Sequence, residues 1–255
     1  MNIQDTLGRI LLGAVVWTIA GALFGGFFSG ASGVFQVLLG NESFGWIPAC
    51  ALAGAVTSSF FGSMRAATLG AMMGVLSGVG YLMMGNSVTS PLPFLIAAFV
   101  GAMLVSRLMP SDIGFHSRPL GQAISGLIAG LVAGTILALG SEMLDGLSAS
   151  WKAAAAVALV GVLYVAISHV LIARCTDRLS RIGGPLVSGV IATTISASIW
   201  VLINTSPAID GSVAAPEFAN AFALVDMGAL GGAIGGAIGG TLFGLFGIKV
   251  GDYSV

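Results

Sequence analysis

The sequence predicts an all-helical integral membrane protein with about eight transmembrane helices, and three observations lead to this prediction. Mean hydropathy is +1.03, and hydrophobic residues make up 56% of the 255 positions. Charged residues make up only 7%, whereas a soluble domain carries about 25%, so there is too little charge to cover a water-facing surface. Apolar stretches close to the ~20 residues that cross a bilayer recur along the whole chain.

Eight such stretches are expected to be spans, separated by polar or proline-containing segments. The boundary at Arg65 is the least distinct, because almost no polar residue marks it. Residues 31–45 are expected to form a linker whose apolar middle lies in the interface or dips inward. The predicted spans are Gly8–Gly30, Trp46–Met64, Ala66–Gly85, Phe94–Met109, Leu120–Gly140, Trp151–Ala173, Gly184–Ser206 and Phe222–Ile248. The clearest predicted loops are Pro110–Pro119, Ser141–Ser150, Arg174–Arg181 and Pro207–Asn220.

The basic residues separate cleanly under this topology. With eight spans, one side of the membrane receives every basic residue except Lys152. The positive-inside rule assigns that side to the cytoplasm and therefore predicts cytoplasmic N- and C-termini. This side receives Arg9, Arg65, Arg107, Arg118, Arg174, Arg178, Arg181 and Lys249, whereas Glu42, Glu142, Asp145, Asp210 and Glu217 fall outside. We therefore expect an inner-membrane protein of a bacterium. Trp46, Trp151 and Trp200 are expected in an aromatic belt at the outer interface.

Four spans precede the Pro110–Pro119 break and four follow it, so residues 1–110 and 111–255 form two candidate four-helix halves. If the halves are structural repeats, an even number of helices makes them parallel, related by an axis along the membrane normal. Glycines stepped by four residues occur in both the first and the fifth span. Glycine steps are common in membrane helices, so the repeat is a hypothesis.

The last span has a glycine pattern typical of close helix packing, a glycine zipper. Four-residue steps follow one ridge of a helix, and rows of small residues let a second backbone approach closely. We predict a helix-packing role for the first row, Gly228, Gly232, Gly236, Gly240 and Gly244, and for the neighbouring row, Gly231, Gly235 and Gly239. The bulky residues of this segment lie on the opposite side. Its partner is either another helix of the chain or a helix of another protein.

Polar residues inside the spans have two interpretations. One is a hydroxyl-lined path for a small solute; the other is that each hydroxyl bonds a carbonyl one turn back or a neighbouring helix, which we favour. The candidate pathway or partner residues are Thr57, Ser58, Thr193, Thr194, Ser196, Ser198 and Asp226. Asp226 is the only acidic residue placed within an apolar run. It is expected either to act as a helix-start charge or to lie at the mouth of a path.

No motif for catalysis, phosphate binding or metal binding occurs in the sequence. Cys50 and Cys175 are expected on opposite sides of the membrane, and neither has a CxxC partner. His116 is expected in a loop, and His169 is expected to bond another helix or lie at the interface. We therefore expect no enzyme activity, no metal and no cofactor. A net charge of −1 without a basic patch gives no case for nucleic-acid binding.

Two functions from different classes follow. The first is a transporter or channel for a small solute or ion, which the span number and the hydroxyl residues favour. The alternative is a non-catalytic structural or assembly subunit of a larger membrane complex, which the glycine-rich faces favour. In both cases the expected partners are the lipid bilayer and other membrane helices, from a second copy or from another protein.

Overall fold

The computed structural model describes residues 3–62, 64–84, 92–108, 119–174, 177–205 and 224–248. Side chains within these ranges are described except at 3–5, 37–38, 61–62, 64–67, 119, 172–174, 177–183, 198 and 201–205. Several sequence predictions lie outside the described residues. These are His116, Cys175, the turn predicted at Asn86–Ser90 and Pro91, most of Pro110–Pro119, the acidic segment Pro207–Asn220 and the tail with Lys249.

Every described element is a helix, which confirms the all-helical class for these ranges. The helices are α1 (Ile3–Leu39), α2 (Glu42–Gly62), α3 (Met64–Met84), α4 (Leu92–Leu108), α5 (Pro119–Leu139), α6 (Ser141–Leu144), α7 (Ala149–Arg174), α8 (Asp177–Thr205) and α9 (Val225–Phe246). The turn predicted at Arg65 is misplaced, because α3 begins at Met64 and Arg65 is part of this helix. Asn41 caps α2, because its side-chain oxygen accepts a hydrogen bond from the Phe44 N–H at 3.2 Å.

Two predicted loops are wrong, and both are helical. The linker 31–45 does not follow the first span, because α1 continues unbroken to Leu39. Residues 31–39 contain no proline, and the helix ends only where Gly40 adopts a φ of 68°. The basic segment Arg174–Arg181 is also mostly helical, since α7 runs to Arg174 and α8 begins at Asp177. Within Ser141–Ser150 the chain forms the single-turn helix α6.

Four helices are long and apolar enough to cross a membrane: Thr6–Gln36, Leu120–Leu139, Ala149–Leu171 and Val225–Phe246. These belong to α1, α5, α7 and α9. Three shorter apolar helices are Thr68–Met84, Leu92–Leu108 and Gly184–Ala197, in α3, α4 and α8. The length and composition of these helices indicate a membrane-embedded protein. The total of eight spans stays a prediction.

The helices form two compact units. Unit 1 contains α1, α2 as far as Ser58, α5 from Ile124, and α6, α7 and α9. Unit 2 contains α3, α4 and α8, with the end of α2 and the start of α5. Each unit combines helices from both sequence halves, so the units differ from residues 1–110 and 111–255. The repeat of four-helix halves stays a hypothesis.

Unit 1 is built on close helix pairs whose directions can be read from their contacts. Helices α1 and α9 are antiparallel, with Gly13 against Gly240, Gly21 against Gly232 and Gly25 against Gly228. Helices α2 and α5 are also antiparallel, with Gly54 against Gly126, Cys50 against Gly130 and Ile47 against Gly134. Helices α7 and α9 are parallel, with Ser150 against Gly231 and Ala154 against Gly235. The largest buried apolar cluster, which includes Phe24, Phe28, Trp46, Ala133 and Val157, joins α1, α2, α5 and α7.

Unit 2 packs α3 against both α4 and α8. Helices α3 and α8 are parallel, with Gly70 against Ser188, Gly74 against Ala192 and Gly78 against Ile199. Helices α3 and α4 are antiparallel, with Met73 near Gly101 and the Tyr81 ring 5.3 Å from the Phe94 ring. Gly189 of α8 lies against the Phe99 ring of α4. Small residues thus position the helices in this unit as they do in unit 1.

Candidate functional site

The first glycine row of α9 lies against the backbone of α1. We call this row the glycine face: Gly228, Gly232, Gly236, Gly240 and Gly244. A side chain on Gly232 would collide with the Gly21 carbonyl, and one on Gly236 would collide with the Trp17 carbonyl. At the far end, a Cβ on Gly244 would lie 2.9 Å from the Arg9 carbonyl oxygen. The contact therefore continues from Gly228 to Gly244, which is 17 residues of α9, or about 24 Å of helix.

The second row separates into two kinds of position. Gly231 lies against the Ser150 carbonyl, and a Cβ on Gly235 would lie 2.9 Å from the Ala154 carbonyl oxygen. Gly239 is different, because the nearest atom to a Cβ there would belong to the Phe243 ring, 4.0 Å away. Close approach of α7 explains the first two glycines but not Gly239. At Gly239, one turn further along α9, a Cβ would meet no atom of α7 within 4 Å.

An apolar groove occupies this gap between α1, α7 and α9. Its volume is about 410 Å³. The floor includes Gly235, Gly239 and Gly161, and the Trp17 ring of α1 closes the back, 3.0 Å from a Cβ placed on Gly161. The Phe243 ring lies 4.9 Å from the Trp17 ring and forms one wall. The other lining residues are Leu147, Trp151, Ala154, Ala155, Val157, Ala158, Val162, Ile238 and Leu242. Hydrocarbon surface therefore dominates the groove.

Two of the candidate pathway residues lie on α2 in unit 1. The Ser58 hydroxyl donates within its own helix, at 2.7 Å from the Gly54 carbonyl oxygen, with the Ala55 carbonyl oxygen at 3.1 Å. Thr57 is only 8% exposed, and its Oγ1 is the buried side-chain oxygen without a hydrogen-bond partner in the described part of the chain. Buried hydroxyls in native proteins are nearly always bonded, to protein or to an ordered molecule. The missing hydrogen-bond partner of the Thr57 hydroxyl therefore needs an explanation.

The other hydroxyl residues lie on α8 in unit 2. Thr193 donates to the Gly189 carbonyl and Thr194 to the Val190 carbonyl, each at 2.9 Å. Ser196 is buried at 2% exposure, and the Ser198 side chain is outside the described residues. The two threonines follow the interpretation we favoured, because their hydroxyls bond one turn back along the helix. The hydroxyl residues of α2 thus belong to unit 1, and those of α8 belong to unit 2.

Asp226 lies in the first turn of α9 and is exposed. Its carboxylate accepts a hydrogen bond from the Met227 backbone N–H at 2.7 Å. A negative charge at a helix N-terminus interacts favourably with the helix dipole. The position of Asp226 agrees with a helix-start charge.

Two features of unit 1 were not predicted from the sequence. One is the groove, whose back wall is Trp17; a signal was present, because Trp17 is the one large residue in the four-step row that contains Gly13 and Gly21. The other is the ion pair between Lys152 and Glu42, with Nζ and Oε1 2.9 Å apart. Trp46 is 4% exposed and packs in the core, whereas Trp151 is 59% exposed; the predicted aromatic belt concerns depth in the membrane and stays a prediction.

Acidic and metal-ligating side chains do not converge within the described ranges, where no three His, Cys, Asp or Glu residues could hold one metal ion. Cys50 is free and buried, and His169 is exposed near the end of α7. Comparisons of the chain with protein-family models, with curated proteins and with solved structures found no match in any of the three.

Proposed function

We propose that this protein is a transporter for a small polar solute or ion, and the buried hydroxyl of Thr57 is the observation that carries the proposal. Burying a hydroxyl without a hydrogen bond costs about 1–3 kcal/mol in proteins. A solute or an ordered water that bonds Oγ1 would remove this cost. A hydroxyl both donates and accepts, so the site accommodates neutral solutes as well as ions.

The proposal includes a location. The protein is assigned to a bacterial inner membrane with both termini in the cytoplasm, and the supporting observation is the distribution of basic residues in the eight-span topology. The antiparallel α1 and α9 agree with termini on one side, since the start of α1 lies beside the end of α9.

Flux through reconstituted vesicles tests the transport function. The probes are urea, glycerol, K⁺ and Cl⁻, measured with wild type, Thr57→Val and Thr135→Val in vesicles of equal protein content. We expect wild type to conduct at least one probe and Thr57→Val to reduce that flux about fivefold, the effect of one lost hydrogen bond. Thr135→Val is the matched control, because the Thr135 hydroxyl is exposed and donates to its own helix at 2.8 Å from the Leu131 carbonyl oxygen.

Thermal stability separates a solute contact from a structural role. If the Thr57 hydroxyl bonds only solute or water, replacing it with a methyl group leaves the melting temperature unchanged or raises it. Reduced flux with retained stability supports the proposal. Wild-type vesicles that conduct none of the four probes, or a Thr57→Val variant with undiminished flux, would contradict it.

The assembly subunit is the second candidate, and the α8 hydroxyls leave it open because they give no support to a solute path. Thr193 and Thr194 donate to carbonyls of their own helix, so their hydroxyls do not require a solute. Extraction in mild detergent distinguishes the two functions. A particle containing only this chain favours the transporter, whereas fixed stoichiometric companion proteins that remain through two chromatographic steps favour the subunit.

A further inference from the structure

The groove of unit 1 opens among membrane-crossing helices. Its three sides come from α1, α7 and α9, each of which is long and apolar enough to span a bilayer. Lipid tails are therefore the material available to fill it. Gly239 in its floor has no backbone neighbour that would require a glycine, so the absence of a side chain there serves only to keep the groove open.

The size of the groove fits one hydrocarbon chain. A dry apolar cavity of about 150 Å³ holds a six-carbon benzene ring, or ~25 Å³ per carbon. At that density, the volume of about 410 Å³ corresponds to roughly 16 carbons. The lining offers no charged side chain to an occupant.

The rim of the groove favours a flexible chain over a protein helix. Where α1 and α7 approach the backbone of α9, a glycine of α9 lies at the contact. The rim instead carries exposed bulky residues: Trp151, Val162, Ile238 and Leu242. These side chains keep a second backbone away from the glycine floor, whereas a single acyl chain can lie between them.

Charge at one end of the groove selects the headgroup. This end lies near Leu147, where α7 and α9 both begin, since the two helices are parallel. The exposed acids here are Glu142 and Asp145 just before α7, and Asp226 in the first turn of α9. The nearby cation, Lys152, is already paired with Glu42. The acidic end complements a positively charged ammonium group and repels an anionic headgroup.

We propose that the groove binds one acyl chain of a zwitterionic aminophospholipid, with the ammonium group at the acidic end. The groove lining shares no residue with Thr57 and Ser58, the α2 residues of the proposed transport site, whereas the acidic end uses Asp226, another of the pathway candidates. Helices α1, α7 and α9 then hold a single lipid as part of the folded protein.

Native mass spectrometry of the full-length protein tests the site with two lipids of identical chains. The probes are palmitoyl-oleoyl phosphatidylethanolamine and palmitoyl-oleoyl phosphatidylglycerol, added at equal concentration. We expect one phosphatidylethanolamine to stay bound to wild type. Gly239→Leu should lower its affinity about tenfold, the effect of excluding two methylene groups. Gly8→Leu is the matched control, because a Cβ at Gly8 meets no atom within 4 Å.

Further variants test lipid binding in the groove even if Gly239→Leu does not fold. Ala158→Phe fills the groove from an exposed position on α7 and should also lower phosphatidylethanolamine binding. Replacing Asp145 and Asp226 with asparagine should bring the two lipids to about equal affinity. Unchanged phosphatidylethanolamine binding in Ala158→Phe, or equal binding of both lipids to wild type, overturns the proposal. A photo-crosslinker at position 158 that captures a protein instead of lipid in native membranes also overturns it.

Discussion

Lys152 connects the starts of two helices in unit 1. Its Nζ lies 2.9 Å from Glu42 Oε1 and 5.2 Å from the centre of the Trp46 ring, on α2. The lysine side chain is 20% exposed and the glutamate side chain 50%. Partial burial strengthens the ion pair relative to one in bulk water, and the ring binds the cation through its quadrupole. The single basic residue predicted on the outer side is thus held by a carboxylate and an indole.

We expect Lys152→Met to destabilise the protein by about 1 kcal/mol, since exposed ion pairs and cation–π contacts each contribute less than or near that amount. The measurement is thermal unfolding in detergent of Lys152→Met, Glu42→Gln and the double variant. If the two residues interact, the double variant loses less stability than the two single variants added together. Additive losses would mean that the ion pair contributes nothing measurable.

The α1–α9 pair shows how an element-scale pattern becomes a structure. Helix α9 carries a glycine every four positions, and the facing row of α1 is small except at Trp17, whose backbone Gly236 contacts, so the two ridges meet along one antiparallel line. Glycine costs a helix about 1 kcal/mol relative to alanine in water, but a bilayer enforces backbone hydrogen bonding. The glycine face therefore gives close contact while the membrane maintains the helix.

Gly236→Leu should prevent correct folding, because the new side chain collides with the Trp17 carbonyl on α1. We expect a loss of more than about 3 kcal/mol, the upper end of ordinary overpacking. Ile238→Leu on the opposite side should stay within about 0.5 kcal/mol, since Ile238 is 56% exposed. Yield of monodisperse protein and melting temperature are the measurements, with Gly8→Leu as the control for adding a leucine to a helix. Equal behaviour of Gly236→Leu and Gly8→Leu would show that the glycine face does not hold α1.

Sequence patterns predicted where the helices lie better than they predicted which helices pack against each other. Apolar length placed the helices, and four-step glycines indicated which faces approach another backbone. The four-step glycines did not identify which helix packs against which, because Gly126, Gly130 and Gly134 offer the same small surface as the glycine face. The continuation of α1 past Gly30 was missed because serine and glycine break helices in water more readily than in a membrane. Thr57 was a candidate by type, but only its surroundings distinguish it from the self-bonded Ser58.

At the scale of the whole molecule, helix directions are defined within each unit, and the total of eight crossings stays a prediction. In unit 1, α7 runs parallel to α9, and both α1–α9 and α2–α5 are antiparallel. In unit 2, α3 is parallel to α8 and antiparallel to α4. The predicted spans one to eight correspond, in order, to α1, α2, α3, α4, α5, α7, α8 and α9. Alternating crossings require odd-numbered spans to share one direction and even-numbered spans the other, and the directions of these helix pairs are compatible with that requirement. An added or missing crossing within the chain would reverse some of these relations.

Reporter fusions test this topology. We expect a green fluorescent protein to fluoresce when fused before Met1 or after Val255, because the eight-span topology places both termini in the cytoplasm with most basic residues. Alkaline phosphatase, which is active only outside the cytoplasm, should be active when inserted at Gly146, a tight-turn residue with a φ of 85° between α6 and α7. Termini on opposite sides would contradict the antiparallel α1 and α9. An inactive phosphatase at Gly146, in a protein whose two terminal fusions fluoresce and whose expression matches theirs, would show instead that the span count before α7 is wrong.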